Sequence, residues 1–405
     1  MRHVHSNPST GGTPVPPIIK ISQGKGQTLD QLLAVAGQFT PQGRVLDLRE
    51  YGNGNVNDTF LVTVGARVRR AHPTLLAADG DQRFILQRLN LNVFRRPELV
   101  MGNLRIVSDH VARRLARVPL SGGRRFEVPR VLLTREGRDH FLDPGGSFWR
   151  ALSFIEAAET FDTIKDLGHA QEVGYALGRF HSLLSDLAPD RLADTLPGFH
   201  LTPGYLLHYD EVLARRGARP SPEVNYGLQF VAERRAWAPV LEDARAQGRL
   251  RPRPIHGDPK VNNVMLDTAT GQAVAMVDLD TVKPGLVHYD IGDCLRSGCN
   301  PLGEETGDWE MVRFEPELCR AMLAGYLSLA GDFLTETDYA YLYDAIRLLA
   351  FELGLRFFTD YLAGNVYFKA RHPEHNLVRA LVQFKLTERI ESQATTIGAI
   401  IRDLR

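Results

Sequence analysis

Three cysteines in 405 residues, Cys294, Cys299 and Cys319, are too few and too irregularly spaced for a disulfide framework. They form no CxxC pair and no cysteine–histidine pattern that would hold zinc. An odd, sparse set of this kind predicts buried thiols in a reducing compartment. Charge of one sign is also missing: Lys plus Arg is 48 and Asp plus Glu is 48, a formal net charge of zero. A balanced chain has no general attraction for nucleic acid, although a local basic cleft stays open to it. No uncharged apolar run reaches the ~18 residues that a membrane span requires. The N-terminus, MRHVHSNPSTGGTPVPP, lacks the apolar stretch of a secretory signal. These absences predict a cytoplasmic protein with neither nucleic acid nor membrane as partner.

What is present is ordinary for a globular protein: 43% apolar and 24% charged residues. The length exceeds the usual span of one hydrophobic core, so two lobes are expected. Residues 1–27, rich in Pro, Gly, Ser and Thr, read as a flexible tail. TLDQLLAVAGQF has a helical pattern with Thr28 as its cap. Strand candidates then follow in RVLDLREYG, DTFLVTVG, RFILQRLN, VPRVLLT and FWRALSFIE, interrupted by one amphipathic helix, ELVMGNLRIVSDHVARRLA. Beyond about residue 153 the patterns turn helical: VGYALGRFHSLLSDL, LQFVAERRAWAPVLEDARA, EPELCRAMLAGYLSLAG and YAYLYDAIRLLAFELGLRFFTDYL. The expected fold class is α+β, with a small strand-rich lobe over 28–153 and a larger helical lobe over 154–405.

One segment breaks the helical half. IHGDPKVNNVMLD, residues 255–267, leads through the turn TATG into AVAMVDLD, a hairpin pattern. Pro259 pushes Asp258 away from helical backbone angles, onto a loop where its carboxylate can project. Pairing of the two strands brings Asp278 back beside Asn263, and hard oxygen donors of that kind suit Mg²⁺. HxDxxxxN, followed about fifteen residues later by an aspartate, is the phosphoryl-transfer arrangement. In it His256 braces the loop, Asp258 takes the hydroxyl proton, and Asn263 with Asp278 holds metal. Asn263 rather than Asn262 fits, because it alone lies five residues after Asp258. Lys260 is either a contact to the transferred phosphate or a surface lysine. Asp280, two residues beyond Asp278, is expected on the same side of a strand, as a second metal or phosphate-network group or simply exposed.

The strand-rich lobe carries weaker signals. YGNGNVNDTFLV places Gly52, Asn53, Gly54 and Asn55 between two strands, where glycines let backbone N–H groups approach phosphates. The third glycine of a GxGxxG pattern is absent. In FILQRLN, Gln87 stands where a kinase strand carries lysine, with Arg88 next to it; alternation lets one of them face a nucleotide. Glu98 either pairs with one of these or favours its own helix N-terminus. FWRALSFIEAA, through Phe154 and Glu156, is a linker with backbone groups for adenine and apolar neighbours for its ring.

On HGDPKVNN, VDLD, GNGNVNDTF and the two-part layout, the chain resembles the aminoglycoside phosphotransferase/choline kinase superfamily. The closer resemblance is to N-acetylhexosamine 1-kinase-like sugar kinases, through FILQRLNLNVFRRPELVMGNL, FWRALSFIEAAETFD, VDLDTVKPGLVHYDIGDCLR and ELGLRFFTDYLAGNVYFKARHPEHNLVRA. It runs from about residue 29 to 390. The resemblance implies a two-lobed protein-kinase-like fold, ATP with Mg²⁺ as donor, and the anomeric hydroxyl of GlcNAc or GalNAc as acceptor. It also implies Asp258 as base, Asn263 and Asp278 as metal ligands, and Asp290 as a buried brace for the catalytic loop. Arg356 and Tyr367 become sugar contacts, with Arg296 and Tyr205 as further candidates.

The residues lend that acceptor site separate support. Glu352, Arg356 and Asp360 recur every four residues on an otherwise apolar helix, a narrow polar stripe. The plain alternative is a set of i,i+4 ion pairs worth ~0.2–0.5 kcal/mol each. The expected partner is a small molecule, an amino sugar first, bound by a monomer or homodimer. Rival readings are the same transfer to an aminoglycoside, choline or another alcohol, and a non-catalytic nucleotide-binding module.

Overall fold

A computed structural model describes residues 28–40, 43–52, 56–65, 82–331 and 333–405. The expected tail, 1–27, lies outside the described residues. The described chain forms two units. One takes the residues up to Asn90 together with Leu132–Leu152, and the other takes Leu91–Val131 and Ser153–Arg405.

The first unit begins with α1 (Leu29–Gln38). The Gln31 N–H donates to the Thr28 hydroxyl at 3.4 Å, and the Thr28 N–H donates to the Gln31 side chain at 2.9 Å. This reciprocal cap satisfies donors that a helix start otherwise leaves bare. Strands β1 (Arg44–Glu50), β2 (Asp58–Gly65), β3 (Gln82–Arg88), β4 (Val131–Leu132), β5 (Phe141–Leu142) and β6 (Phe148–Ser153) make a sheet in the order β1-β2-β3-β6-β4, with β5 paired to β6. Alternation sends Phe60, Val62, Phe84, Leu86, Trp149 and Ala151 into one core with Leu32, Val35, Ala36 and Phe39 of α1. Each large side chain so buried contributes roughly 1.5–3 kcal/mol. Strand β5 sits in the turn-rich stretch REGRDHFLDPGGS; Asp143 supports it by accepting from the Ser147 N–H at 2.9 Å and from the Trp149 indole at 2.9 Å.

The second unit is mainly helical. It contains α2 (Pro97–Arg117), β7 (Ala158–Glu159), α3 (Leu167–Leu184), α4 (Thr202–Arg216), α5 (Pro222–Arg234), α6 (Val240–Ala246), β8 (Arg253–Ile255), β9 (Val264–Asp267), β10 (Ala273–Met276) and β11 (Lys283–Gly285). It continues through α7 (Val287–Gly298), α8 (Pro316–Ala330), α9 (Glu336–Ala340), α10 (Leu342–Ala363), α11 (His375–Ser392) and α12 (Ala394–Leu404). The pattern LQFVAERRAWAPVLEDARA, expected as one helix, breaks into α5 and α6 because Pro239 has no N–H and cannot continue a helix.

Helices α3 and α8 approach unusually closely. A Cβ on Gly174 would stand 1.9 Å from the Met322 carbonyl, and one on Gly325 would stand 2.0 Å from the Gln171 carbonyl. Only glycine allows that spacing, and it sets His181 of α3 against α8 and α7. Helix α10 packs against α4, α7 and α11. The cysteines are free and buried, as small core residues. Among the described residues no helix is long and apolar enough to cross a membrane.

Candidate active site

Two short pairings fold the 255–285 segment into a site. Strands β9 and β10 form the expected hairpin, with Val264 opposite Met276. Its turn is built on Asp267, whose Oδ1 accepts from the Ala269 and Thr270 N–H groups at 3.0 Å. The Val277 N–H then donates to the Asn263 carbonyl at 2.9 Å, bringing Asp278 level with the end of the loop. Strands β8 and β11 close the base, with Ile255 opposite Lys283.

The loop is held from beneath by Asp290 of α7, which is fully buried. Its Oδ2 accepts from the His256 N–H at 2.6 Å and its Oδ1 from the Gly257 N–H at 2.8 Å. His181 Nε2 adds a third contact at 2.8 Å. Burial opposes ionisation of this carboxyl, but those bonds and the nearby imidazoles keep it below the usual carboxylate range. The His256 ring is neutral: Nε2–H donates to the Val277 carbonyl at 2.9 Å, while Nδ1 accepts from the Asp258 N–H at 3.3 Å. Burial lowers its pKa accordingly. Thr281 completes the frame, donating its hydroxyl to the His256 carbonyl at 2.8 Å.

Asp258 stands on this frame, part-exposed. Asn263 donates its side-chain amide to the Asp258 carbonyl at 2.7 Å and to the carboxylate at 3.3 Å. Lys260 Nζ lies 3.2 Å from the same carboxylate, and its side chain is 34% exposed. Asp258 first, and also Glu304 and Asp278, raise the Lys260 pKa. Because Asn263 commits its nitrogen to Asp258, its oxygen is turned away as an acceptor. The exposed carboxylate of Asp278, next to the Val277 whose N–H bonds the Asn263 carbonyl, supplies a second oxygen donor. That set fits Mg²⁺, which takes one or two protein oxygens and completes its shell with phosphates and water. No group of three or more His, Cys, Asp or Glu gathers for a metal among the described residues.

Asp278 is not on a strand. It takes the left-handed conformation, φ 62° and ψ 54°, and Leu279–Thr281 turns as a short 3-10 helix. The strand argument for Asp280 therefore fails, and its side chain is buried rather than exposed. A non-glycine residue held at positive φ costs of order 1–3 kcal/mol, a strain found mostly at functional sites.

Around this loop lie the residues of the polar stripe. Glu352 bonds His200 at 2.9 Å and the Thr202 hydroxyl at 2.7 Å. Asp360 caps the following loop, accepting from the N–H groups of Val366, Tyr367 and Phe368 at 2.9, 2.8 and 3.0 Å. Arg356 has no ion pair among the described residues. Its guanidinium lies 5.1, 5.2 and 5.4 Å from the rings of Phe199, Tyr205 and Phe368. Burial pulls its pKa down, but Tyr205, Glu352, Tyr367 and Asp258 outweigh that, which puts Arg356 within electrostatic reach of Asp258. Burial pushes the Tyr205 hydroxyl up to about 12. Tyr367 is 63% exposed and lines an open surface depression of about 490 Å³ between Asn365 and Pro373. Arg296, expected as a ligand contact, directs its donors at Asp293 (2.9 and 2.7 Å) and Glu304 (3.3 Å).

In the first unit, Asn53, Gly54 and Asn55 lie outside the described residues. Gly52, two residues beyond the end of β1, has φ 74°. Arg88 pairs with its cross-strand partner Asp58, Nε to Oδ2 2.8 Å, on the face that carries Phe84 and Leu86. Gln87 points to the other face. Its amide donates to Thr59 at 3.0 Å and its oxygen accepts from Arg150 at 3.0 and 2.7 Å. Arg150 was not foreseen; an arginine in a short apolar strand gave no signal beyond its position two residues from Phe148. Glu98 sits in the first turn of α2. Beyond β6, Phe154 is half-buried, and the Glu156 carbonyl accepts from Arg125 at 2.6 Å.

A model of the phosphotransferase enzyme family, APH, matches residues 47–331. Among solved structures, the chain is similar to a microcompartment-associated aminopropanol kinase, at 16% identity over 92% of this chain and 99% of that one, with a TM-score of 0.59. It is also similar to a choline kinase from Cryptosporidium parvum Iowa II, at 14% identity over 88% and 92%, TM-score 0.53. A third is the GDP complex of aminoglycoside 2'-phosphotransferase-IIIa, at 12% identity over 93% and 99%, TM-score 0.50. These likenesses establish the protein-kinase-like fold, a strand-rich lobe followed by a helical one. The chain belongs to the phosphotransferase enzyme family.

Proposed function

We propose that the protein transfers the γ-phosphoryl group of ATP, with Mg²⁺, to a hydroxyl of a small molecule. The observation that carries this reading is Asp258: a carboxylate on a braced loop, fixed by Asn263, whose own carbonyl bonds the Val277 N–H beside Asp278 across the hairpin. In this reading Asp258 orients and deprotonates the acceptor hydroxyl. Asn263 and Asp278 hold the ion, which neutralises charge on the β- and γ-phosphates. Lys260, already beside Asp258, moves its ammonium to the transferred phosphoryl group. Asp290, His256 and Thr281 keep the loop rigid. Asp280 and Arg296 serve the frame rather than the substrate. Gly52, Asn53, Gly54 and Asn55, with the Gln87–Arg150 pair, are assigned to the nucleotide phosphates, and the Phe154–Glu156 linker to its base. The GDP complex of the aminoglycoside phosphotransferase supports a nucleotide donor.

For the acceptor we propose a neutral, polyhydroxylated molecule, an N-acetylhexosamine first, phosphorylated at its anomeric hydroxyl. Arg356 supports this: a guanidinium with no carboxylate partner among the described residues offers forked donors to hydroxyl and carbonyl oxygens, and it repels an ammonium. Tyr205 and Tyr367 would flank the ring. The second reading, an amino alcohol, is favoured by the aminopropanol and choline kinases that share the fold, and by the Phe199–Tyr205–Phe368 rings, which suit a cation.

An acceptor panel with coupled ADP detection decides between them: GlcNAc, GalNAc, choline, 1-amino-2-propanol and kanamycin, each with Mg²⁺ and ATP. Turnover of GlcNAc or GalNAc supports the first reading. Turnover of an amine acceptor alone replaces it with the second. ATP binding without ADP release on any acceptor marks a non-catalytic module.

A further inference from the structure

We infer that His200, paired with Glu352, is a positioning residue for Asp258: it fixes the peptide plane from which that side chain projects. The inference rests on the reading of Asp258 as the base. The peptide between Gly257 and Asp258 is clamped at both ends. Its carbonyl accepts from His200 Nε2 at 2.8 Å, and its N–H donates to His256 Nδ1 at 3.3 Å. Gly257 itself is at φ 86°, and with no Cβ to restrict its backbone the orientation of this plane depends on the contacts that hold it.

The two imidazoles do this in opposite protonation states. His256 must be neutral, since one of its nitrogens accepts. His200 faces an acceptor at each nitrogen, the Gly257 carbonyl and Glu352 Oε1 at 2.9 Å, so both nitrogens carry hydrogen and the ring is cationic. Glu352 supplies the counter-charge, and its second oxygen is taken by the Thr202 hydroxyl at 2.7 Å. Burial works against the cation, but Glu352 outweighs it and raises the His200 pKa.

The chain also strains to deliver this ring. His200 has φ 65°, and among the described residues it is one of four non-glycine residues at positive φ, with Ala157, Asp278 and Asn365. Rings of Phe199 and Tyr289, at 4.0 and 5.4 Å, enclose it, and only 3% of the residue is exposed. An apolar side chain would fill that space. What imidazolium adds is two directed donors, one of them aimed at the loop. Since His200 reaches the reaction only through Gly257, it is no proton donor to substrate.

The test measures steady-state kinetics of His200→Ala, Glu352→Gln and Asp258→Asn with Mg²⁺, ATP and whichever of GlcNAc, GalNAc, choline, 1-amino-2-propanol and kanamycin the wild type turns over fastest. Misplacing a reacting group by about 1 Å costs roughly 10²-fold, so His200→Ala is expected to lower kcat by about that factor while the KM for ATP stays within about threefold. Added imidazole, which can occupy the vacated space, is expected to restore at least a tenth of the lost activity, roughly tenfold. Glu352→Gln is expected to lower kcat in the same way by about tenfold. A His200→Ala kcat close to wild type overturns the inference, as does a loss shared equally by kcat and stability that imidazole leaves unchanged. If His200→Ala does not fold, Glu352→Gln decides, and an unchanged kcat there overturns it. Asp258→Asn separates the two claims. Activity retained there removes the base reading and the inference with it; activity lost there, beside an active His200→Ala, removes the inference alone.

Discussion

Asn263 turns its side-chain amide toward Asp258, 2.7 Å from the main-chain carbonyl and 3.3 Å from the carboxylate. That orientation makes asparagine necessary for two reasons at once, a donor on one side and an oxygen on the other. Asn263→Asp is therefore expected to be no better than Asn263→Ala, although it adds a metal-ligating oxygen. It sets a carboxylate against the carboxylate and carbonyl that the amide now serves, and like charges at that range repel. Both variants should lose about 10²-fold or more in kcat. An Asn263→Asp enzyme of near wild-type kcat would show that the amide donor is irrelevant.

Lys260→Met separates a phosphate contact from a surface ion pair. The Lys260–Asp258 pair is about a third exposed on each side, so its loss should cost no more than ~1 kcal/mol of stability. A contact to the transferred group predicts a kcat loss of about 10²-fold with little change in Tm. Unchanged kcat would assign Lys260 to the surface.

Gly257→Ala tests the loop's rigidity. At φ 86° a Cβ would stand 2.6 Å from the Thr281 carbonyl. Strain of that kind costs at least about 1–3 kcal/mol, readable as a lower midpoint in urea. A midpoint equal to wild type would mean that the loop yields easily.

Acid should destabilise the protein through buried neutral histidines. His288 is 1% exposed and donates from Nε2 to the Asp338 carbonyl at 2.9 Å, while its Nδ1 is buried with no partner among the described residues. Burial lowers its pKa, as it does for His256. A histidine with a folded pKa below its unfolded value of about 6.5 contributes full stability above that value and loses it as pH falls through the folded pKa. His200 has the opposite sign, with its contribution intact in acid. Tm should drop between pH 7.5 and 5.5, and His288→Gln, which keeps a donor for the Asp338 carbonyl, should flatten that drop. An equally steep fall in the variant would place the acid sensitivity elsewhere.

Arg356→Ala should raise the KM for a neutral sugar by about tenfold or more, leave the KM for ATP alone, and relieve repulsion of amine acceptors. Unchanged acceptor KM values would remove Arg356 from the acceptor site.

Much of the fold was legible because its signals are local. Thr28 announces its own cap, and NVMLD and AVAMVDLD around the turn TATG announce a hairpin. HGDPKVNN carries its chemistry in eight consecutive positions. The misses are tertiary. Strands β8 and β11 contain Pro254 and Pro284, which argue against a strand, and form only because they close the loop on each other. Asp280 was read along a strand that Asp278 ends by turning left-handed. Nothing local to Arg296 announces its ion pairs with Asp293 and Glu304. His200 had no local sign at all: its partners, Gly257 and Glu352, stand 57 and 152 residues away. The polar stripe was visible in sequence, but Glu352 and Asp360 turned out to bond His200, Thr202 and loop N–H groups rather than their helical neighbours.

The central claim is that Asp258 is the base of a phosphotransferase, and Asp258→Asn is its most direct test. The exchange keeps the shape and the contact to Asn263 while removing the carboxylate. With Mg²⁺, ATP and the preferred acceptor, kcat should fall by about 10²–10⁴-fold while ATP binding persists. A variant that still transfers phosphate at near the wild-type rate would contradict the account.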